Sequence, residues 1–376
     1  MPALSILIKP VSGQCNIDCE YCFYKNLKEY QKNISCNVMG LETLELIIRK
    51  ALNFAEEDLS IVFQGGEPTL RGIEFFKEAI NLLRKYNVNN VSVYLSIQTN
   101  GLLIDDEWGQ FLGENNFLVG ISLDGFETCH NRFRKGYHQM PTFQKVMRAI
   151  DILKKYHVEF NILTVINSEV VKYPEEIYNF YKSQNFTHLQ FIECFDALGV
   201  IPGSKEFSLK NESYKIFITK LFDLWYQDIM RGRIVELNYF DNILRLICSY
   251  PPVDCGMWGF CSSQFIFESD GSVYPCDFYV QDRWCLGNIA DNDFDTLKKT
   301  KIAEKFEAIS YVMDEKCVDC KYVTLCRGGC RRARNWTGND KMDCNIFCET
   351  YQYFFENCLE RLYEIADRFH LKYKRL

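Results

Sequence analysis

Nowhere in the 376-residue chain does an apolar run reach the roughly 20 residues that span a bilayer, so no membrane partner is expected. The opening MPALSILIKP has no charged n-region, and its short apolar stretch ends at Lys9–Pro10, which speaks against a secretory signal. Positive charge is also in short supply. With 43 Lys and Arg against 50 Asp and Glu, the formal net charge is −7, the wrong sign for a surface that neutralises nucleic-acid phosphates. Low-complexity segments and fixed-period repeats are missing too. What is left, 47% hydrophobic and 25% charged, is the profile of a globular enzyme of two or three domains. The expected compartment is the cytoplasm.

Against that ordinary background stand eighteen cysteines. Without a secretory signal, disulfides are disfavoured, and clustered thiols in reducing surroundings more often bind metal or do redox chemistry.

In the first half of the chain, β-rich apolar runs (4–8, 59–63, 91–97, 117–122, 158–165, 187–193) alternate with amphipathic helical patterns (41–55, 72–86, 142–156). Such alternation predicts βαβ units on a parallel sheet. Six units are two short of a closed barrel, so the expected fold is α/β, an open six-stranded (β/α)6 partial TIM barrel. From about residue 236 the character changes. Helical stretches at 213–231 and 240–249 lead into a segment rich in Cys, Gly and aromatics from Cys255 to Cys348, and a helical pattern over 349–368 closes the chain. The predicted organisation is a barrel over 1–235, a Cys-rich domain over 236–348 and a C-terminal helix over 349–376.

CNIDCEYCFY holds Cys15, Cys19 and Cys22 directly after the first strand, at the sheet end where α/β folds bind ligands. Three soft thiolates around a cubane iron–sulfur cluster leave one iron open to a small molecule, whereas a structural zinc is closed by four ligands. By spacing alone, a zinc site with a remote fourth ligand remains open. A second constellation runs Cys255-x5-Cys261, Gly271, Cys276, Cys317-x2-Cys320-x5-Cys326-x3-Cys330 and Cys348. Two zinc sites would also satisfy it.

CxxxCxxC after a first barrel strand resembles the signature of the radical S-adenosylmethionine (SAM) enzymes. Three further stretches look like that family's SAM-binding elements: QGGEP (64–68) with Gly65, Gly66 and Glu67, SLDG (122–125) with Ser122 and Asp124, and HNRFR (130–134) with Arg134. The resemblance implies that SAM chelates the open iron, that the glycines let the backbone approach its amine, and that Arg134 pairs with its carboxylate. Tyr21 is counted with the SAM-facing residues, packing around the cluster as Phe23 would. The second constellation resembles the SPASM extension of these enzymes, which houses two auxiliary 4Fe–4S clusters. Carried over, Cys255, Cys261, Cys276 and Cys330 ligate the first, and Cys317, Cys320, Cys326 and Cys348 the second. Three 4Fe–4S clusters and SAM are thus the implied cofactors. Cys36, Cys129, Cys194, Cys248, Cys285, Cys344 and Cys358 receive no role, a free cysteine most often being a small buried hydrophobe; Cys344, four residues before Cys348, could compete as a ligand.

A base is needed if the outcome is oxidation, and Asp277 in YPCDFY follows the ligand Cys276 directly. With QGGEP and the full ligand set, this stretch resembles the anaerobic sulfatase-maturating enzymes, which oxidise a Cys or Ser of a sulfatase to Cα-formylglycine. The resemblance makes Asp277 the catalytic base and has Tyr24 and Gln64 line the peptide pocket. It also implies a sulfatase segment as partner, together with an external electron donor and acceptor of the ferredoxin or flavodoxin kind. Two rivals remain: a SPASM maturase that crosslinks a ribosomal peptide, and a non-catalytic iron–sulfur electron carrier. Only fourteen residues precede Cys15, so no leader-binding domain is expected ahead of the barrel, which disfavours the first. The carrier would have no use for GGE, SLDG or Arg134.

Overall fold

Residues 4–25 and 38–372 are described by a computed structural model. Cys36 lies outside the described residues. The chain forms two compact units, each assembled from separated segments: Met1–Ser122, Lys135–Phe160 and Ser262–Phe306 make the first, and Leu123–Arg134, Asn161–Cys261 and Glu307–Leu376 the second.

The first unit is built on the parallel strands β1 (Leu4–Ile8), β2 (Asp58–Phe63), β3 (Ser92–Thr99) and β4 (Leu118–Ser122), adjacent in chain order. Each is followed by a helix in the sequence, and the apolar periodicity anticipates those after β1 and β2. Helix α1 (Leu41–Phe54) buries Leu44, Ile47, Ile48, Ala51 and Leu52, the i, i+3, i+4, i+7, i+8 stripe of a helix lying on a sheet. Helix α2 (Ile73–Tyr86) presents Phe76 to Phe63 of β2 with ring centroids 5.0 Å apart. Asp105 caps helix α3 (Asp106–Glu114) by accepting from the Trp108 amide at 3.0 Å.

Beyond the anticipated strands, the unit recruits a segment from late in the chain. Strand β8 (Phe265–Phe267) pairs parallel with the free edge of β1, matching Ile6 with Phe265 and Ile8 with Phe267. It continues antiparallel into β9 (Ser272–Tyr274) and β10 (Gly287–Asn288). The late segment therefore delivers Glu268, Cys276 and Asp277 to the end of β1.

In the second unit, β5 (Phe160–Ile166), β6 (His188–Glu193) and β7 (Glu236–Leu237) pair in parallel; Phe160 itself belongs to the first. The closing helix, Cys348–Arg368, packs on the long helix Asn211–Met230 through Phe354 against Phe222, rings 5.5 Å apart, and through Arg361 to Asp223 at 2.6 Å. Among the described residues, no helix is long and apolar enough to cross a membrane.

Candidate active site

At the end of β1, three groups from two distant stretches converge on Asp277, with Glu268 behind one of them. Tyr24 donates its hydroxyl to Asp277 Oδ2. Gln64 Nε2, just past β2, donates to the same oxygen at 3.1 Å and to the Tyr24 hydroxyl at 3.1 Å. Lys9 Nζ stands 3.5 Å from Asp277 Oδ1 and 2.5 Å from Glu268 Oε1, its side chain 1% exposed. Oδ1 itself is buried and, among the described residues, has no hydrogen-bond partner within normal geometry. Burial pushes the Asp277 carboxyl above the usual carboxylate range, with Lys9 and Tyr24 pulling the other way. Burial alone would lower Lys9, but Glu268 and then Asp277 outweigh it and keep the ammonium charged. Tyr24 is held well above its ordinary value, first by burial and then by the Asp277 charge. Of the groups around Asp277, sequence reasoning named Tyr24 and Gln64; it passed over Lys9 and, behind it, Glu268.

The loop carrying Cys15, Cys19 and Cys22 is locked to the QGGEP turn. Gln64 N donates to Ile8 O at 3.0 Å, and Glu67 N to Gln14 O at 2.8 Å. Gly65 and Gly66 have φ of +100° and +52°, and the packing leaves no room for a side chain at either. A Cβ on Gly66 would lie 1.9 Å from Gln14 O, and one on Gly65 would lie 2.7 Å from Cγ and Cε of Lys9. Glu67 is fully buried. Its Oε1 accepts from the Thr69 amide at 3.1 Å, the Thr69 hydroxyl at 2.6 Å and the Thr99 hydroxyl at 2.7 Å, while Oε2 accepts from Asn100 N at 2.7 Å. The carboxylate thereby braces the ends of β2 and β3 against each other. Asn100, in turn, reaches the cluster loop: its Nδ2 donates to Asn16 Oδ1 at 2.7 Å and lies 3.6 Å from Cys15 Sγ. Tyr137 donates to Cys15 O at 3.0 Å. Neither Asn100 nor Tyr137 was singled out from sequence, although QTNG at the end of β3 sits where such folds place ligand contacts. Tyr21 is buried in the loop, and Ser122 ends β4, buried.

In the second unit, Arg134 is buried, not a solvated charge; its Nε lies 3.3 Å from Asp124 Oδ2. Asp124 Oδ1 accepts from Val165 N at 3.0 Å, and His130 Nδ1 accepts from Asp124 N at 3.2 Å. Burial drives His130 down to about 3, so the ring is neutral and fit for that acceptor role. Asp124 thus ties Arg134, His130 and the Val165 amide into one buried network.

The auxiliary thiols divide between the units. Cys276 is in the first; Cys255, Cys261 and Cys330 are in the second, where Gly256 Cα faces Cys330 so closely that an added Cβ would be 3.5 Å from the cysteine Cβ. The Arg332 amide donates to Cys330 Sγ at 3.3 Å. Burial, and then the neighbouring Cys255 and Cys261, push the Cys330 thiol up. Cys317, Cys320, Cys326 and Cys348 line one cavity with Tyr351 and Gln352. Cys344 is not part of that lining; burial and then its hydrogen bond with Cys348 push it up to about 12. Asn345 ties the turn in place by donating to Gly328 O at 3.0 Å, just past Cys326. Among the described residues, no three His, Cys, Asp or Glu side chains close around a single metal ion. Four soft donors around one cavity suit a cluster, whose iron supplies the positive charge that buried thiolates need. Of the unassigned cysteines, Cys129, Cys194, Cys248 and Cys358 are buried.

The model of the Radical SAM superfamily matches residues 10–181, and that of SPASM, an iron–sulfur cluster-binding domain, matches residues 255–321. The cysteine-type anaerobic sulfatase-maturating enzyme of Clostridium perfringens is 45% identical over 98% of this chain and 99% of its own. The serine-type enzyme of Bacteroides thetaiotaomicron is 31% identical over 94% of this chain and 89% of its own. Among solved structures, native anSMEcpe with bound AdoMet and Cp18Cys peptide matches with a TM-score of 0.94 at 44% identity, covering 98% of this chain and all of that one. The chain therefore belongs to the anaerobic sulfatase-maturating enzymes, radical SAM proteins with a SPASM iron–sulfur domain.

Proposed function

We propose that this enzyme oxidises a cysteinyl side chain in a sulfatase segment to Cα-formylglycine. The cysteine-type relative is closer in sequence, at 45% identity, than the serine-type one at 31%. Cys15, Cys19 and Cys22 would hold the SAM cluster; Cys255, Cys261, Cys276 and Cys330 the first auxiliary cluster, and Cys317, Cys320, Cys326 and Cys348 the second. Arg134, held by Asp124, would meet the SAM carboxylate, with Ser122, Gly65, Gly66 and Tyr21 around the rest of the molecule and Glu67 bracing the turn. When bound, these groups supply a 5′-deoxyadenosyl radical that takes hydrogen from Cβ and an acceptor for the second electron.

The chain's own part is the proton. Asp277 receives it from the substrate thiol, while Tyr24 and Gln64 hold Oδ2 and the Lys9 ammonium stands by Oδ1. Loss of a hydrogen atom, a proton and an electron converts CH2–SH to CH=S, and water then gives the aldehyde and hydrogen sulfide. The observation that carries this reading is the setting of Asp277: a buried carboxylate directly after Cys276, with one oxygen held by Tyr24 and Gln64 and the other 3.5 Å from the Lys9 ammonium. The proton leaves beside Cys276, so proton and electron depart on one side. The electron donor and acceptor would be small redox proteins of the ferredoxin or flavodoxin class, in the cytoplasm of an anaerobic host. No nucleic acid or membrane takes part. The functional segments would be the barrel (1–235), the SPASM domain (236–348) and the C-terminal helix (349–376).

Anaerobic incubation with SAM, reductant and a sulfatase-motif peptide bearing Cys or Ser tests this. Mass spectrometry should show the Cys residue converted to an aldehyde. A product that retains sulfur in a crosslink would instead mark a peptide crosslinking enzyme.

A further inference from the structure

Two residues outside the predicted site make a continuous buried connection to Asp277. The β1–β8 register creates it: Ile8 pairs with Phe267, and Lys9 N donates to Phe267 O at 2.9 Å, so Lys9 and Glu268 leave their strands side by side. Glu268 is 2% exposed, and among the described residues its Oε2 has no hydrogen-bond partner, while Oε1 meets the Lys9 ammonium at 2.5 Å. The stem of Lys9 is confined by the QGG turn, which has glycine at 65 where a Cβ would strike Cγ and Cε. Its ammonium also lies 4.8 Å from the centroid of the Tyr24 ring. From that fixed place it stands 3.5 Å from Asp277 Oδ1. The separation is close enough for ion pairing and too long for a good hydrogen bond, so Oδ1 is held without its acceptor capacity being used.

We propose that Lys9 and Glu268 form a buried strut that fixes the Asp277 carboxylate in the orientation it needs for the substrate thiol, which makes both of them positioning residues for the oxidation. The inference rests on the base role of Asp277 given above. Tyr24 and Gln64 restrain one oxygen and the strut restrains the other, so the carboxylate cannot rotate about its Cβ–Cγ bond. Removing the cation leaves Glu268 and Asp277 as two buried carboxylates with nothing between them, which would turn Asp277 away from the pocket.

The test compares Lys9→Met, Lys9→Arg, Glu268→Gln and Asp277→Asn, each with its clusters reconstituted. The readouts are iron content, deoxyadenosine formed per aldehyde, and KM for the peptide. Lys9→Met and Glu268→Gln should raise deoxyadenosine per aldehyde by about tenfold, with iron content and KM close to wild type, because misplacing a reacting group by an ångström is costly. Lys9→Arg should restore most of the coupling. An unchanged ratio in Lys9→Met, or a raised one that Lys9→Arg fails to restore, overturns the strut. If Lys9→Met fails to load iron, Glu268→Gln, which keeps the lysine, decides by the same ratio. An unchanged ratio in Asp277→Asn would sink the base itself. A raised ratio there beside a wild-type ratio in Lys9→Met would sink the strut alone.

Discussion

Asp277 and Gly66 illustrate two ways in which a single position can be decisive. At Asp277 the chemistry depends on what surrounds each oxygen. Tyr24→Phe would remove the hydroxyl that Oδ2 accepts from and leave the ring in place, a loss of about 1.5–3 kcal/mol for a charged hydrogen bond. Aldehyde formation should fall about tenfold to a hundredfold, as measured by steady-state assay of the product, with iron content unchanged. At Gly66 the constraint is space. Alanine would put Cβ 1.9 Å from Gln14 O, a backbone atom that cannot swing aside. The Gly66→Ala protein should therefore fail to hold the cluster at Cys15, Cys19 and Cys22, and the loss should appear as missing iron and missing SAM cleavage together. Both positions were visible in the sequence through the family resemblance carried by QGGEP, YPCDFY and the cysteine set. Lys9 and Glu268 were not visible: a lysine and a glutamate beyond short apolar runs read as ordinary strand ends until the register sets them side by side. Tyr24 and Asp277 are 253 positions apart, and only the family resemblance joined them before the structure did.

At the scale of elements, the six barrel strands were legible because each is a run of apolar residues long enough to show a pattern. Strands β7 to β10 were not, having two or three residues each, too few for any periodicity. Their pairing is specified by partners far away in the chain. Two predictions belong here. The turn 344–348 leads into the closing helix and presents Cys348, not Cys344, to the cavity shared with Cys317, Cys320 and Cys326. Cys348→Ser should lose the iron of one cluster, whereas Cys344→Ser should keep it, by iron analysis and electron paramagnetic resonance of the reduced protein. The short helix Glu127–Phe133 carries His130, neutral in the fold because burial drives it down to about 3. Asp124 opposes that shift and Arg134 reinforces it. An unfolded histidine gains its proton near pH 6.5, so the unfolded state binds more protons below that pH and the fold is weakened by about 1.4 kcal/mol per unit. Between pH 6.5 and 5.5, where the unfolded histidine goes from half to nearly fully protonated, anaerobic denaturant titrations should show wild type losing about 1 kcal/mol more stability than His130→Gln.

For the molecule as a whole, the order of segments in the chain is not the order of packing. Residues 262–306, from the Cys-rich half, are built into the first unit with β1, and they bring Asp277 to Tyr24 and Gln64. Composition and the two cysteine constellations pointed to metal-binding thiols, because thiol spacing is a local signal, but only the family resemblance chose iron–sulfur clusters over zinc. The pocket that would direct the chemistry is a long-range product of strand pairing, which spacing does not encode. The proposed reaction has one consequence that every part must cooperate to produce. A sulfatase-motif peptide carrying cysteine dideuterated at Cβ should be incubated anaerobically with SAM and reductant, and both products analysed by mass spectrometry. The deoxyadenosine should carry a single deuterium and the peptide aldehyde should retain the other; unlabelled deoxyadenosine, or an unaltered peptide beside labelled deoxyadenosine, would contradict the proposed oxidation.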